Sequence, residues 1–389
     1  MVPDSPIAAG SAASAAALLR LVRDGAANSR AELARMAGIS PSTAATRVEE
    51  LLRLGLLRDV GAGRSRGGRR PQHLEYMPAP GVVGVADLGA SHASLAVFDL
   101  LGTLVAERED PIAIADGPDA VLQIVLGRLR ELAGDAALRG IALSLPGPVD
   151  ATQRRMVSPS RMPGWNGVDV AARMSELAGV PALADNDANL MAVGEAAAAP
   201  GIEHLVFVKA GSGIGCGVIA DGRLHRGAHG MAGDISHVSV PDAGHVLCSC
   251  GRYDCLDAVA SGAAIVGALR DAGLVVEDMT TVLRLANDAD PLVTRMLREA
   301  GTRTGNVLAT IVNFFNPAVL ALGGHLSQAE AFVAGVRSAI YTQCLPMATD
   351  HLEIVVTRAG RLGGAHGAAR RILDELFEQD MAALGASAT

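Results

Sequence analysis

Apolar residues at Leu18, Leu19 and Val22 recur at helical spacing, which predicts a helix from Ser11 to Asp24. After Gly25, Ser29-Arg-Ala-Glu32 has the form of a capping box and opens a second helix, Ala31 to Ala37, with Leu33, Ala34 and Ala37 turned inward. Gly38-Ile39-Ser40 turns the chain: Ile39 plugs the core, Ser40 caps the next helix and Pro41 takes its first position. That third helix runs to about Leu54, burying Val48, Leu51 and Leu52 and leaving Ser42, Thr43, Thr46 and Arg47 on the outward N-terminal face. Helix, turn and helix punctuated in this way make a DNA-reading module. Leu56 and Leu57 begin a strand, followed by a Gly- and Arg-rich run from Gly61 to Pro71. Its Arg64, Arg66, Arg69 and Arg70 fit either a basic wing on phosphates or a solvated linker, and the neighbouring helices favour the wing.

Pro78-Ala-Pro80 marks a boundary, and beyond it the pattern changes to short apolar strands alternating with longer amphipathic helices. Strands are expected from Gly81 to Gly89 and from Ser94 to Leu100 across a turn at Leu101-Gly102, then at Ile141 to Leu145 and Pro181 to Ala184. Further strands follow at Leu205 to Lys209, Val218 to Ala220, Asn316 to Gly324 and His351 to Thr357. Helices are expected at Asp119 to Ala133, from Leu190, at Ala258 to Leu269, Pro291 to Val312 and Gly364 to Leu384. The class is therefore α/β behind a winged helical front.

Half of the 389 residues are hydrophobic and few are aromatic, which excludes a disordered chain, and the length calls for two or three domains. The Ala-rich start, Ala12 to Val22, follows Asp4 and is interrupted by Arg20, so it reads as neither a signal peptide nor a membrane span. A cytoplasmic protein without membrane contact is the expectation. Charge divides with the pattern: residues 1 to 78 hold 11 Arg against 7 acidic residues, a balance of +4, whereas the remainder carries −12. A basic head on an acidic body suits a nucleic-acid partner.

The densest chemistry lies between Gly227 and Ser261, where Cys248, Cys250 and Cys255 form C-x-C-x4-C eleven residues after His237. Three thiolates and an imidazole suit tetrahedral Zn2+, and four protein ligands make a closed, structural site. Buried free thiols and a disulfide are the alternatives, and His245 competes with His237 for the fourth position. Asp185-Asn186-Asp187-Ala188-Asn189 stands at the carboxyl end of a strand, where open α/β sheets bind ligands. Asp187 is the base to take a sugar hydroxyl proton in a phosphoryl transfer, or simply a helix cap. The Gly211 to Gly217 turn either cradles a phosphate or permits close packing, and Lys209 just before it is the chain's sole lysine.

From Pro80 onward the chain resembles the ROK family of sugar-responsive repressors and sugar kinases. The residues that carry this are DLG at 87 to 89, PGPVD at 146 to 150, DNDAN at 185 to 189, GSGIGCG at 211 to 217, GDISH at 233 to 237, CSCGRYDCLD at 248 to 257 and NPAVLALGG at 316 to 324. The resemblance implies an actin-like ATPase (ribonuclease H-like) fold of two lobes behind a winged helix-turn-helix, the domains being residues 11–77 and 80–389. Lobe 1 would span about 80–195 plus the C-terminal helix, and lobe 2 about 196–363. It also implies structural zinc on His237, Cys248, Cys250 and Cys255, and sugar hydroxyls on Asn186, Asp187, Asp234, His237 and Asp257. Nucleotide, if bound, would use Asp87, Gly89, Gly211, Ser212, Gly213, Gly323 and Gly324. Departures are Ser91-His92 in the first phosphate turn, D-I-S-H for the family's E-x-G-H, Asp257 for Glu, and Ser160 for a common Asn.

These expectations lead to a regulator of transcription, most simply a repressor, that binds a double-stranded operator through Ser42, Thr43, Thr46, Arg47 and the four wing arginines and answers to a sugar or sugar phosphate. A homodimer or homotetramer follows from the twofold symmetry such heads need. The alternative is an ATP- and Mg2+-dependent sugar kinase with Asp187 as catalytic base. A third reading is a body that answers to another protein.

Overall fold

The computed structural model describes residues 15–62, 72–150, 152, 154–157, 159 and 162–386. They divide into two compact units, Met1–Gly81 with Asp374–Thr389, and Val82–Leu373.

In the first unit, α1 (Ala15–Arg23), α2 (Arg30–Ala37) and α3 (Pro41–Arg53) precede the antiparallel pair β1 (Leu57–Ala62) and β2 (Gln72–Tyr76). Ser29 caps α2 by accepting from the Glu32 N–H, while the Glu32 carboxylate reaches back to take the Asn28 N–H at 3.0 Å. Gly38 closes that helix in the left-handed conformation, and Ser40 accepts the Thr43 N–H at 3.1 Å to start α3. Leu18, Leu19, Leu33, Val48, Leu51, Leu57 and Leu74 pack together with Phe377 and Met381 from the far end of the sequence. Arg23 lies with its guanidinium 4.4 Å from the centre of the Phe377 ring, and Tyr76 meets the same ring edge-on at 5.8 Å. The expected first helix is described from Ala15, and residues 11–14 lie outside the described residues, as do Arg64, Arg66, Arg69 and Arg70 between β1 and β2.

The second unit repeats one plan. Its first sheet is built from β3 (Val82–Leu88), β4 (Ala93–Asp99), β5 (Leu104–Asp110), β6 (Leu138–Leu145) and β9 (Ala182–Asn186). The helices α4 (Pro118–Ala133) and α5 (Val170–Ala178) and a small hairpin, β7 (Val149–Asp150) with β8 (Arg155–Met156), fall between them, and α6 (Asp187–Ala198) follows directly. The order is β5-β4-β3-β6-β9: the first three strands meander by short turns, whereas β6 and β9 return parallel through helical crossovers. The second sheet repeats the order as β12-β11-β10-β13-β14, using β10 (Leu205–Ala210), β11 (Ile214–Ala220), β12 (Arg223–His225), and, after α7 (Leu256–Ala260), α8 (Gly262–Asp271), α9 (Met279–Asn287) and α10 (Pro291–Phe315), β13 (Val319–Gly323). The helices α11 (Glu330–Gln343) and α12 (Pro346–Thr349) lead to β14 (Glu353–Val356), and α13 (Gly363–Ala386) ends the described chain. Trp165, Val125 and Leu143 lie in the core of the first half, and Val208, Leu320 and Phe332 in that of the second.

Three local expectations change. The helix after β9 begins at Asp187, before Leu190, because the Asn186 side chain accepts the Ala188 and Asn189 N–H groups and caps it early. The helix expected at Ala258 to Leu269 is two helices, broken at Ser261, whose hydroxyl caps α8. Strand β11 already begins at Ile214, so Gly215 and Gly217 lie in a strand. At Gly217 a side chain would stand 2.5 Å from the Ala188 carbonyl, so glycine is what lets β11 lie against α6.

Phe377 is 2% exposed, and Phe377→Ala is expected to destabilise the N-terminal unit by about 3–5 kcal/mol, as aromatic deletion in a core does. Urea unfolding checks this; a change below about 1 kcal/mol would show that the helical front is complete without the C-terminal segment.

Candidate functional site

The loop between β12 and α7 folds back on itself through isolated bridges at Ser239–Cys255 and Leu247–Tyr253, closed by a turn in which Cys248 accepts from the Gly251 N–H at 2.9 Å. This folding gathers His237, Cys248, Cys250 and Cys255, whose ligand atoms all lie within 4.8 Å of one another. Cys250 Sγ and Cys255 Sγ are 3.6 Å apart, and Cys248 Sγ lies 3.7 Å from His237 Nδ1. A tetrahedral centre with metal–sulfur bonds of about 2.3 Å has edges of about 3.8 Å, so the donors stand at the right separation for one metal ion. All five cysteines are free thiols, which removes the disulfide alternative for this loop. His245 stacks on Tyr253 at 3.9 Å and is not part of the four-residue cluster. The Arg252 backbone N–H draws the Cys250 thiol down to about 6, favouring the thiolate a metal needs, whereas burial pushes Cys255 up to about 12.

The same loop is fastened to the start of β11. The buried Asp257, in the first turn of α7, accepts the Ile214 N–H at 3.0 Å, and the Ser236 hydroxyl donates to the Ile214 carbonyl at 2.7 Å. Asp257 N–H in turn donates to the Ser236 carbonyl at 2.9 Å, and the exposed Asp234 accepts the Ser236 N–H at 3.1 Å. Candidate metal ligands and candidate sugar-binding acids thus share one short stretch of backbone.

Asn186 and Asp187 stand at the carboxyl end of β9. The Asn186 amide oxygen is spent on capping α6, and its NH2 donates to the Gly147 carbonyl at 3.1 Å, leaving one N–H for another acceptor. Asp187 accepts the Ala188 N–H at 2.7 Å and forms an ion pair with Lys209. Asp185, 4% exposed at its side chain, is held by Arg226, by Asn189 Nδ2 at 3.2 Å and by the Asn186 N–H at 2.8 Å. Sequence reasoning missed Arg226 altogether and gave Lys209 no role; only the scarcity of lysine marked the latter.

The expected nucleotide positions behave differently. Asp87 accepts the Ser144 hydroxyl at 2.5 Å, and burial pushes its carboxyl upward, partly offset by the Lys209 charge and that hydrogen bond. A side chain at Gly89 would stand 3.1 Å from the His92 ring, which covers the turn. The Gly211 and Ser212 carbonyls accept the first N–H groups of α8, from Gly262 at 2.8 Å and Ala263 at 3.1 Å, while Gly211 N–H bonds the Gly213 carbonyl at 2.9 Å. Gly323 packs against the Phe207 ring and Gly324 against the Ala210 carbonyl, where a side chain would stand 2.4 Å from either. These glycines pack closely against protein.

On α3, Ser42, Thr43 and Thr46 are exposed, and Arg47 pairs with Glu50 at 3.0 Å. Thr46 donates to the Ser42 carbonyl at 3.1 Å, and Ser42 and Thr43 share the Ser40 hydroxyl, so the face is ordered from within.

Residues 82–375 match the ROK family, and residues 17–58 match the winged helix-turn-helix DNA-binding family. The xylose repressor of Bacillus subtilis strain 168 is 27% identical over 371 residues, 93% of this chain and 95% of that protein. The DNA-binding transcriptional dual regulator NagC of Escherichia coli strain K12 is 26% identical over 362 residues, 87% of each. The crystal structure of a ROK family transcriptional regulator described as a homolog of the E. coli MLC protein superposes with a TM-score of 0.77 at 25% identity, over 94% of this chain and 97% of that one.

Arg226→Ala would leave the Asp185 carboxylate buried without its cation, and a loss of about 3 kcal/mol is expected in urea unfolding of the full chain. Arg226→Lys should recover part of it. Equal stability of Arg226→Ala and the parent would show that the amide donors alone hold that charge.

Proposed function

This chain belongs to the ROK family, and from that premise we propose how its parts work together as a sugar-responsive DNA-binding repressor of transcription. One observation carries the reading: a winged helix-turn-helix and a ROK body lie in one chain, and relatives named a xylose repressor and an N-acetylglucosamine repressor cover it across both. The two domains would be residues 11–77 and 80–389. Base edges would meet Ser42, Thr43, Thr46 and Arg47 on α3, with Arg64, Arg66, Arg69 and Arg70 along phosphates or a minor groove.

In the body, Asn186, Asp187, Asp234, His237 and Asp257 would take sugar hydroxyls. Lys209 and Arg226 are each already paired with an acid, which supports a neutral sugar over a sugar phosphate. Xylose and N-acetylglucosamine are the first probes, since relatives carry those names. The cysteine loop would hold one Zn2+ on His237, Cys248, Cys250 and Cys255, a closed site that fixes the acids nearby and takes no part in bond making. The Cys3His geometry supports that choice.

Response to sugar is a linkage: a sugar that binds one arrangement better shifts the population of twofold assemblies able to meet both half-sites. Complete reversal needs a differential affinity of about 5.5 kcal/mol.

Gel shifts on the DNA upstream of the chain's own coding region should give a sequence-selective complex that weakens steeply with salt. Replacing the four wing arginines by Ala should weaken all sequences and flatten the salt slope, whereas Ser42→Ala with Thr46→Ala should relax sequence preference. A complex indifferent to sequence at moderate salt would sink the repressor reading. Separately, elemental analysis is expected to give one zinc per chain, lost in Cys255→Ser together with the thermal stabilisation by sugar. Sugar stabilisation that survives loss of the metal would detach the loop from the binding site.

A further inference from the structure

The two halves of the Val82–Leu373 unit share one strand order, so their first strands are equivalent: β3 in one, β10 in the other. The penultimate residue of β3 is Asp87, and the penultimate residue of β10 is Lys209. One half therefore presents an acid where the other presents an amine. Asp87 lies opposite Ser144 of β6, with which it is hydrogen-bonded, and Lys209 lies opposite Gly215 and Gly323, which have no side chain to take its charge. The amine reaches instead to Asp187 at the start of α6.

The consequence is a group of two acids and one ammonium: Lys209 is paired with Asp187, and its charge also acts on Asp87. One Asp187 oxygen takes the Lys209 ammonium and the other takes the Ala188 N–H at 2.7 Å. One Asp87 oxygen takes the Ser144 hydroxyl at 2.5 Å. Carboxylates are the oxygen ligands a hard divalent cation takes, the ion a phosphoryl transfer needs. An ammonium has the same sign, three donors and no exchangeable coordination sphere. Burial lowers the tendency of Lys209 to stay charged, but the Asp187 and Asp87 charges outweigh it and hold its pKa above the ordinary lysine value. At neutral pH the cation is permanent.

We propose that Lys209 is a built-in cation occupying the place where Asp87 and Asp187 would otherwise hold a divalent metal, so that the site receives a ligand but passes no phosphoryl group. The proposal deepens the regulator reading and rests on it for the identity of the site. It assigns to one residue the difference between a binding site and a transferring one: an added divalent ion would have to displace the ammonium from Asp187 or sit beside it against repulsion.

Lys209 is the only lysine in the sequence, so full-length, zinc-loaded protein labelled with 13C-lysine gives a single side-chain signal to watch. In the parent, Mn2+ and Mn2+ with ADP should leave that signal unbroadened, and electron paramagnetic resonance should detect no saturable Mn2+ site dependent on Asp187. Lys209→Met should gain one Mn2+ per chain, bound at least ten-fold more tightly than by the parent, and Lys209→Met with Asp187→Asn should lose it again. Broadening of the lysine signal in the parent overturns the proposal, as does a folded Lys209→Met protein with no gain in Mn2+ affinity. If Lys209→Met does not fold, the parent spectrum decides alone. No measurement here uses a sugar or DNA, so failure of the chain to bind either would sink the regulator reading and leave this result standing.

Discussion

Charge compensation at the N-terminal end of α6 is the constraint that the rest of the body accommodates. Asp185 and Asp187 are nearly buried, two residues apart, and neither is tolerable there without a cation. Arg226, at the end of the β11–β12 hairpin, answers the first, and Lys209 in β10 answers the second. Both cations come from the second half of the unit and both acids from the first, so the two halves are tied by ion pairs at the place where the ligand is expected. Asn186, between the acids, supplies the cap that starts the helix.

The metal-capable loop adds a second restraint on the same region. Its cysteines and His237 converge through local turns, and its polar neighbours Ser236 and Asp257 grip the backbone of Ile214 from both sides. That residue is the first of β11, the strand paired with β10, in which Lys209 stands. A shift of the loop would therefore reach Lys209 through one pair of hydrogen-bonded strands. Polar groups are thus held by rigid elements on one side and by a hydrogen-bonded, metal-capable loop on the other.

In the N-terminal unit the stabilising chemistry is simpler. Apolar residues of three helices and a two-stranded hairpin pack on one another, and the aromatic ring at their centre comes from Phe377, more than three hundred residues away in the sequence. Arg23 over that ring and Arg20 on Glu378, at 2.6 Å, place basic residues of α1 in structural service. Arg30 is likewise shared between Glu49 and Asp59. Part of the basic excess of the front end is thus neutralised internally.

What the sequence determined by itself was everything written in short-range pattern. The helical periodicity and caps of α2 and α3, the alternation of strands and helices, and the spacing of Cys248, Cys250 and Cys255 all depend on neighbours within a few residues, where propensity and ligand spacing act directly. The resemblance in its motifs extended this to the family. Tertiary structure alone decided which charge meets which. Lys209 and Arg226 lie 22 and 41 residues from their partners, and no local rule pairs them. The same holds for His237 against His245, because ring stacking on Tyr253 is a contact made only after the loop has closed. It holds again for Phe377, since a helical pattern shows that a face is apolar but not which core will receive it.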